Sequence, residues 1–419
     1  MKALIIGSGL IGTASAYFLS RRGWEVTVLD RQDGPAQETS FANGSLLTPS
    51  MPEPWNAPGS WRVLLNSLGR SDSPLQLRWK ALPHLVRWGT GFMRNSTAAR
   101  YHSNTVKNLK LALYSLDVLG NLRKETGIEY GCVMRGSLRV IRNPAALERA
   151  LAWAETLRAD GLTFRRLTSD EIVAMDPALA PIGKQLAGGI HYPVDEIGNA
   201  YKFTVALADL ARRSGVDFRF RTPVTSIEMR QGKVTAVLSG GSRFTADCYV
   251  VAAGSYTPLL LKQIGITVPV RPAKGYSITF ERFQLDPPFR QPVADDDFHA
   301  VVVPLENVIR VAGTAEFTGY DLSLPEERIR NLVRLVNLVL PKGGFERSQA
   351  KPWCGLRPMS VDGVPIIGRT PIGNLWVNTG HGPLGWTMAA GSGQLLSDLL
   401  TAGEETKLNP DAYALARFN

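Results

Sequence analysis

Cysteine is scarce in this chain, and its few cysteines are not arranged as metal ligands or as a disulfide framework. Among 419 residues only Cys132, Cys248 and Cys354 are cysteines, and none belongs to a CxxC pair. A structural zinc site needs several closely spaced Cys or His ligands, and a disulfide scaffold needs a larger, even number of cysteines. The sequence therefore predicts no metal site, and so few cysteines are typical of a reducing compartment.

Long apolar runs, internal repeats and low-complexity tracts are also missing. No stretch reaches the roughly 20 apolar residues of a membrane-spanning helix. The 40 Gly and 27 Pro residues follow no period, which excludes collagen-like chains. No RNP, zinc or helix-turn-helix signature indicates a nucleic-acid partner. What remains is a globular composition, 44% hydrophobic and 20% charged, and a length that favours two or three domains over one.

Acidic residues are in the minority, and the excess of positive charge is concentrated in one segment. The chain has 47 Lys and Arg against 37 Asp and Glu, a net charge of +10. Residues 51–110 hold nine basic and two acidic residues, together with four of the nine tryptophans. The amphipathic pattern there is interrupted at Pro83 and has two interpretations, both open at this stage. It predicts either a surface for anionic lipid or a soluble helical lid over the substrate site.

The N-terminal residues form a dinucleotide-binding fingerprint. An apolar strand at residues 3–6 leads into Gly7-Ser8-Gly9-Leu10-Ile11-Gly12, then a helical pattern, then a second strand that ends at Asp30. The glycines give a tight turn, the approach of the backbone to a pyrophosphate, and close packing of helix on strand. The free N–H groups of the helix N-terminus favour phosphate, and the acid suits ribose hydroxyls. This pattern predicts a Rossmann-like domain.

Two later features favour FAD over NAD as the dinucleotide. A polar, glycine-bearing loop occupies residues 40–46, where a plain NAD-binding domain would begin another helix. Far downstream, a hairpin-like stretch with a Gln231-Gly232 turn precedes a buried strand at residues 247–255 that ends in small residues. A nucleotide-binding domain that is interrupted by a long insertion and then resumed is the layout of FAD-dependent oxidoreductases.

Motifs along the whole chain resemble those of the D-amino acid dehydrogenase family, within the wider group of glycine, sarcosine and D-amino acid oxidases. They are the N-terminal fingerprint, SFANG at 40–44, VVAAGSY at 250–256, GLRPMSVDG at 355–363 and NTGHGPLGWTMAAGSGQLL at 378–396. The resemblance implies an α/β fold with a discontinuous Rossmann-like FAD-binding domain at residues 1–50, 187–260 and 351–419. The remaining residues, 51–186 and 261–350, are expected to form an α+β substrate domain on a large antiparallel sheet.

The resemblance also implies which residues contact FAD. Asp30 and Arg31 are expected at the adenosine ribose, and the backbone of Val224 at the adenine. The loop and helix start near residue 382 are expected at the flavin pyrimidine edge, where N–H groups stabilise negative charge on the reduced flavin. The full predicted set is Gly7, Gly9, Leu10, Ile11, Gly12, Asp30, Arg31, Ser40, Asn43, Gly44, Ser45, Leu46, Val224, Ala253, Gly254, Gly380, Gly382, Pro383, Leu384 and Gly385.

Noncovalent FAD is expected, although sarcosine oxidases attach their flavin to a cysteine in this C-terminal region. The nearest cysteine here, Cys354, lies one residue before the matching position, counted back from the Ser-Val-Asp element. The sequence offers no other cysteine close to that position.

Arg357, in the GLRP element, matches the residue with which related oxidases hold the substrate carboxylate. A guanidinium can form two parallel charge-assisted bonds to a carboxylate. The substrate-binding tyrosine of glycine oxidases is a valine in the matching Val301-Val302-Val303-Pro304 element. The candidates for a second contact are Tyr276, His299 and Tyr256. His381 is a candidate for proton transfer, or for hydrogen bonding and shaping of the site.

The activity implied by the resemblance is oxidative deamination of a D-amino acid, or a related amino or imino acid, to the 2-oxo acid. Hydride would pass from Cα to flavin N5, and the electrons onward to a quinone or another acceptor. Two alternatives stay open: an oxygen-dependent oxidase of glycine, N-methyl or cyclic imino acids, and a flavin-binding subunit of a larger complex with little activity alone. We expect a cytoplasmic protein, and the basic segment raises the hypothesis of peripheral contact with the inner face of the plasma membrane.

Overall fold

The computed structural model of the chain describes residues 1–60, 75–77, 82–281, 285–298, 300–401 and 406–418. Its strands are β1 (Lys2–Ile6), β2 (Glu25–Leu29), β3 (Leu46–Leu47), β4 (Leu75–Leu77), β5 (Ser137–Ile141), β6 (Arg165–Leu167), β7 (Gly188–Tyr192), β8 (Glu196–Ile197), β9 (Asp217–Arg219), β10 (Ser226–Arg230), β11 (Lys233–Ser239), β12 (Ser242–Phe244), β13 (Cys248–Val251), β14 (Val270–Glu281), β15 (Val293–Asp295), β16 (Ala300–Leu305), β17 (Val308–Phe317), β18 (Lys351–Ser360), β19 (Ile366–Arg369) and β20 (Leu375–Thr379). Its α-helices are α1 (Leu10–Arg21), α2 (Leu82–Arg94), α3 (Ala98–Thr126), α4 (Pro144–Thr156), α5 (Ser169–Met175), α6 (Ala180–Gly183), α7 (Ala200–Arg213), α8 (Thr257–Lys262), α9 (Glu326–Val339) and α10 (Gly385–Leu400).

A six-stranded sheet carries the N-terminal fingerprint at its centre. Its order is β19-β20-β13-β1-β2-β9, and every neighbouring pair is parallel except β19 with β20. Helices α1, α7 and α10 cover one face, and the β10-β11-β12 sheet and α8 cover the other. Strands β1 and β13 are therefore apolar along almost all of their length, as expected for strands buried on both faces. This sheet confirms the predicted Rossmann-like unit and the later return of the chain to it.

A nine-stranded sheet forms the second layer. Its order is β18-β14-β17-β16-β15-β5-β7-β6, and β4 pairs with β17. Most neighbours are antiparallel, as predicted, but β5 pairs with β15 and β4 with β17 in parallel, so the sheet is mixed. One face packs on α9 through buried apolar residues such as Phe280 and Leu332. Residues on the other face line the cavity described below.

Helix α10 packs against α1 and α3 through glycines. A Cβ atom on Gly393 would lie 2.7 Å from the carbonyl carbon of Ala14 in α1. A Cβ atom on Gly391 would lie 2.8 Å from the Cα of Ser115 in α3. No side chain fits at such distances, so the two glycines set how closely the three helices approach.

Most local sequence patterns agree with these elements. The apolar spacing at residues 147–157, 202–214 and 325–340 predicts three helices, which are α4, α7 and α9. The patterns at residues 268–280 and 301–314 predict strands, which are β14 and the β16–β17 hairpin. Gln231 and Gly232 both have positive φ, as a two-residue type I′ hairpin turn requires. Residues 191–196 hold His, Asp and Glu but no second His at ligand spacing, which predicts a loop; the structure instead places the end of β7 and the start of β8 there. Within the described ranges, no cluster of His, Cys, Asp and Glu could hold a metal ion.

The domain boundaries stay a prediction, but two strands within the predicted cofactor-binding ranges belong to the other layer. Strand β7 pairs with β5 and β6, and β18 pairs with β14, so both are part of the nine-stranded sheet. The reason is that the chain enters and leaves the cofactor-binding layer through strands of the large sheet.

The basic, tryptophan-rich segment is described only in part. The sequence predicts broken amphipathic helices from Trp61 to Leu68 and from Leu75 to Trp88, interrupted by Pro83. Residues 61–74 and 78–81 lie outside the described residues. Helix α2 is described over Leu82–Arg94 and includes Pro83. Trp88 in this helix is buried against Phe92 and Phe317, and it therefore belongs to the protein core.

Candidate active site

A cavity of about 900 Å³ is lined by residues of both sheets. The six-stranded sheet and its loops contribute the fingerprint, residues 252–256 and residues 378–386. The large sheet contributes residues of β14, β17 and β18, and the segment at residues 51–57 adds further lining residues. A volume of this order is that of a cofactor or ligand site that encloses most of its occupant.

The glycine fingerprint places the start of α1 at one end of this cavity. Gly7 has a φ of +107°, and a Cβ atom there would lie 2.7 Å from the carbonyl oxygen of Ala252. A Cβ atom on Gly12 would lie only 1.9 Å from the carbonyl oxygen of Gly7. The residue before α1, Gly9, has no side chain that caps the helix. Backbone N–H groups and the positive end of the helix dipole therefore face the cavity, which suits a pyrophosphate.

Asp30 is bound mainly to the protein itself. Its carboxylate accepts hydrogen bonds from the backbone N–H and hydroxyl of Ser8, at 2.6 and 2.7 Å, and from the N–H of Gln32 at 2.8 Å. A carboxylate has about four acceptor positions, so this geometry leaves one for a ribose hydroxyl. Arg31 also lines the cavity, and its Nε donates to Glu38 at 2.6 Å.

The loop at residues 40–46 is divided between the cavity and the protein interior. The Ser40 hydroxyl accepts from the N–H of Leu10 at 3.1 Å, which ties the loop to the start of α1. Asn43, Gly44 and Leu46 line the cavity. Ser45 is not among the residues that line the cavity: its buried hydroxyl accepts from Arg310 at 2.8 Å, so its contact with the cofactor stays a prediction.

The segment after β20 forms the opposite wall of the cavity. Gly380 and Gly382 have positive φ values of +79° and +53°, and a 3₁₀ turn over Gly382–Leu384 leads directly into α10. No side chain caps the N-terminus of α10. Gly380 makes the turn, whereas residues 381–386 line the cavity, as do Val224, Ala253 and Gly254. Backbone N–H groups at a helix start without a side-chain cap suit a group that gains negative charge.

His381 is a buried, neutral histidine at this wall. Its Nε2 hydrogen-bonds the Ser392 hydroxyl at 2.9 Å, and its buried Nδ1 has no hydrogen-bond partner among the described residues. Burial lowers the pKa of His381 to about 3, so the imidazole stays uncharged near neutral pH. A buried nitrogen without a partner among the described residues and two helix starts in one cavity fit a bound flavin dinucleotide.

Arg357 is a cation that lines the cavity and has no ion-pair partner among the described residues. It is half-buried on β18, and no carboxylate of the described residues forms an ion pair with it. Loss of hydration lowers the pKa of its guanidinium to about 10, so the group remains charged near neutral pH. The ring of Trp55 lies 5.5 Å from Cζ. A half-buried cation without a counter-ion is a site for an anionic ligand such as a carboxylate.

The three candidates for a second substrate contact have different outcomes. Tyr276 stays a prediction: it is among the residues that line the cavity, but its side chain packs with the core on the α9 side, where its hydroxyl donates to buried Glu316 at 3.0 Å. His299 lies outside the described residues. Tyr256 lines the cavity, but its ring packs on the Arg31 guanidinium, 3.9 Å from the ring centroid, at the nucleotide end.

Sequence reasoning missed a charged end of the cavity. The lining residues there include Glu53, Tyr101, Arg139, Asp295 and Asp296. They come from the segment before α2, from α3, from β5 and from the end of β15. The one signal in the sequence was Arg139, a charged residue inside the apolar strand β5. A charged side chain that points into the protein from a strand belongs either to an ion pair or to a binding site.

Comparisons with known proteins agree over the whole chain. The model of a family described as FAD dependent oxidoreductase (DAO) matches residues 2–399. A D-amino acid dehydrogenase of Paramagnetospirillum magneticum is 43% identical over 423 residues, which cover 100% of this chain and 99% of the relative. A second, from Allorhizobium ampelinum, is 42% identical over 418 residues with the same coverage.

Solved structures of the same fold include an L-proline dehydrogenase from P. horikoshii and a glycine oxidase from Geobacillus kaustophilus. The first has a TM-score of 0.77 and 18% identity, and covers 100% of this chain and 97% of its own. The second has a TM-score of 0.76 and 22% identity, with coverage of 99% and 98%.

Proposed function

Because this chain belongs to the family of FAD-dependent oxidoreductases whose model spans residues 2–399, we propose that it oxidises D-amino acids, or related amino and imino acids, to 2-oxo acids. When bound, FAD supplies the acceptor for the hydride that leaves Cα. The resulting imine hydrolyses in water to the 2-oxo acid and ammonia. The observation that carries this proposal is Arg357, a cation that has no ion-pair partner among the described residues and lines the same cavity as the glycine fingerprint.

Arg357 binds the substrate carboxylate and sets the position of Cα. A bidentate guanidinium–carboxylate pair fixes both distance and orientation, so the Cα–H bond can be aimed in one direction. The Trp55 ring beside Arg357 limits where the rest of the substrate lies and excludes water from the ion pair. No general base is required if the amine binds in its neutral form.

We assign His381 to hydrogen bonding and shaping of the site. With a pKa of about 3, its imidazole is too weak a base to hold a proton from the substrate near neutral pH. Its Nε2 is engaged by Ser392, so only Nδ1 is left to interact with a bound group.

The residues that we propose to bind the cofactor form two groups, one at the start of α1 and one at the start of α10. Gly7, Gly9 and the start of α1, with Ser40 beside them, hold the pyrophosphate. Residues 382–385, at the start of α10, face the flavin ring system and stabilise its negative charge.

Anaerobic flavin bleaching tests the proposed function. The holoenzyme is mixed with individual D- and L-amino acids, glycine, sarcosine and proline without oxygen, and flavin absorbance is recorded. We expect bleaching by D-amino acids and, in Arg357→Met, a KM raised at least tenfold (about 1.4 kcal/mol per factor of ten). Bleaching by no amino or imino acid would instead favour the flavin-binding subunit, and an unchanged KM in Arg357→Met would remove its role.

The dehydrogenase assignment, as opposed to an oxidase, rests on the names of the relatives at 42–43% identity. We expect rapid reduction of a quinone analogue and little hydrogen peroxide during turnover. A peroxide yield equal to the amount of substrate oxidised would favour the oxidase.

We also propose a peripheral contact with an anionic membrane at α2. This helix turns Trp88 and Phe92 into the core, whereas Val86 is 65% exposed and Met93 37% exposed. Two exposed arginines, Arg87 and Arg94, flank them. Within the described ranges, no helix is long and apolar enough to cross a bilayer. We expect the protein to co-sediment with phosphatidylglycerol vesicles at low salt. The double variant Arg87→Glu, Arg94→Glu should co-sediment less. If the wild type does not co-sediment, the segment is better interpreted as a soluble helical lid over the substrate site.

A further inference from the structure

Glu53 lies on a short segment held rigidly over the Arg357 end of the cavity. It is flanked by Pro52 and Pro54, and proline fixes φ. The carbonyl of Pro52 accepts from Asn108 at 2.9 Å, and a Cβ atom on Gly363 would lie 2.3 Å from the Pro54 Cβ. Both prolines are therefore pinned from outside the segment. Two residues further along the chain, the ring of Trp55 lies against Arg357.

The carboxylates near Glu53 are already paired, but Glu53 is not. Arg139 donates to Asp296 at 2.8 and 2.5 Å, and Arg142 donates to Asp295 at 2.8 and 2.6 Å. Glu53 accepts one neutral hydrogen bond, from the indole N–H of Trp153 at 2.8 Å. Among the described residues, no Lys or Arg nitrogen lies within ion-pair distance of it. Glu53 is therefore the carboxylate of this charged end that has no ion-pair partner among the described residues.

The surroundings of Glu53 suit a cation that arrives from outside the protein. Burial raises the pKa of Glu53, against the opposing effect of Arg139, because a carboxylate out of water lacks a counter-charge. A ligand cation would supply that counter-charge. Tyr101 and Trp55 also line the cavity here, and aromatic faces attract ammonium and guanidinium groups.

We propose that Glu53 binds the cationic end of the substrate side chain, so that the preferred substrates are D-amino acids with basic side chains. This inference rests on the proposed function, because it takes Arg357 as the site of the α-carboxylate. Arg357 and Glu53 then hold the two charged ends of a single substrate. Trp55 lies on the same segment as Glu53, and its ring contacts Arg357.

The test compares D-lysine with D-norleucine, which has a side chain of similar length without the ammonium group. In the wild-type holoenzyme we expect a higher kcat/KM for D-lysine. In Glu53→Gln, whose amide oxygen still accepts from Trp153, kcat/KM for D-lysine should fall by about 10- to 100-fold, the range for a charged hydrogen bond. In the same variant, kcat/KM for D-norleucine and D-alanine should change by less than about threefold, because neither has a charged side chain for Glu53 to bind.

Other results would overturn the inference. A wild-type enzyme that does not prefer D-lysine to D-norleucine excludes it without any variant, and so does an equal fall for both substrates in Glu53→Gln. As a matched control, Asp297→Asn, at an exposed carboxylate near the same end, should leave the preference unchanged. If no D-amino acid is oxidised, the proposed function itself has failed. If kcat/KM for D-norleucine and D-alanine equals that for D-lysine, only the inference has failed.

Discussion

Gly275 lies directly beneath the guanidinium of Arg357, so that a Cβ atom at Gly275 would stand 2.6 Å from the Arg357 Cζ atom and 2.7 Å from Nη2. The two residues belong to the neighbouring strands β14 and β18, where Ala273 pairs with Arg357 and Gly275 with Gly355. The absence of a side chain at residue 275 is therefore what lets Arg357 lie flat on the sheet and face the cavity.

Gly275→Ala should weaken substrate binding without unfolding the protein. The atoms that the new methyl group would meet are the mobile end of a side chain, so the guanidinium moves and the backbone does not. We expect the KM for D-alanine to rise about tenfold, which corresponds to the loss of one good charged contact, with the flavin spectrum unchanged. The matched control is Gly373→Ala, where a Cβ atom meets nothing within 4 Å. An unchanged KM in Gly275→Ala would show that the position of Arg357 does not matter for binding.

Gly12→Ala should abolish flavin binding. A Cβ atom there would lie 1.9 Å from the backbone oxygen of Gly7, so the loop that faces the pyrophosphate must move. The measurement is the ratio of flavin absorbance to protein absorbance after purification, with circular dichroism to show that the chain is folded. Full flavin content in this variant would contradict the assigned role of the loop.

Glu316→Ala should strongly destabilise the protein. Glu316 is fully buried, accepts from Arg328 at 2.5 Å and from Tyr276 at 3.0 Å, and lies 3.9 Å from buried Lys274. Removal of one partner of a buried ion pair costs roughly 3–5 kcal/mol, so Tm should fall by several degrees. Tyr276→Phe is the milder comparison: it removes one hydrogen bond worth about 1 kcal/mol and should leave the KM unchanged. A raised KM in Tyr276→Phe would conflict with the placement of Tyr276 on the far face of the sheet.

Stability should decline as pH rises from about 4 to about 7 because of Asp195. This buried carboxyl accepts from the hydroxyls of Ser50 and Ser137, and burial raises its pKa to about 7. Between its unfolded pKa of about 3.9 and the folded value, the folded state holds a proton that the unfolded state has released. The Tm of Asp195→Asn, relative to wild type, should therefore increase with pH in this window. The exposed Asp411→Asn should show no such trend, and parallel Tm curves for wild type and Asp195→Asn would refute the assignment.

Denaturation should release all of the FAD. The nearest cysteine in sequence to the flavin-facing segment, Cys354, pairs across the sheet with Tyr276 and so lies on the far face, where its thiol contacts the carbonyl of Leu322 at 3.2 Å. None of the three cysteines lines the cavity. Acid precipitation should leave a colourless pellet and a yellow supernatant in wild type and in Cys354→Ser alike. Flavin in the wild-type pellet would show a covalent bond.

Features that depend on neighbours in sequence could be predicted. The strand, glycine turn and helix of residues 2–21 occur together because each needs only local contacts, and the Gln231-Gly232 turn follows from the positive φ that its residues accept. The orientation of Tyr276 could not be predicted, because alternation along β14 separates two faces without showing which of them meets the cavity. Its side chain packs on the α9 side, whereas the neighbouring Gly275 lies under Arg357.

The charged end of the cavity could not be predicted because its members are far apart in sequence. Glu53, Tyr101, Arg139 and Asp296 meet only once the large sheet and α3 have formed. A carboxylate between two prolines indicates an irregular segment but not what that segment faces. The same holds for Ser45, whose partner Arg310 lies 265 residues further along the chain.

The order of strands in the six-stranded sheet has a consequence for biosynthesis. Strand β1 emerges from the ribosome first, yet one neighbour, β13, comes about 250 residues later, and β20 and the start of α10 follow near the end of the chain. Long-range parallel pairing is slow, and its closure has to wait for the late strands. A nascent chain that lacks its last 50 residues contains the start of α1 but not the start of α10. A chain that is truncated before β20 therefore lacks the wall of the cavity that we expect to face the flavin.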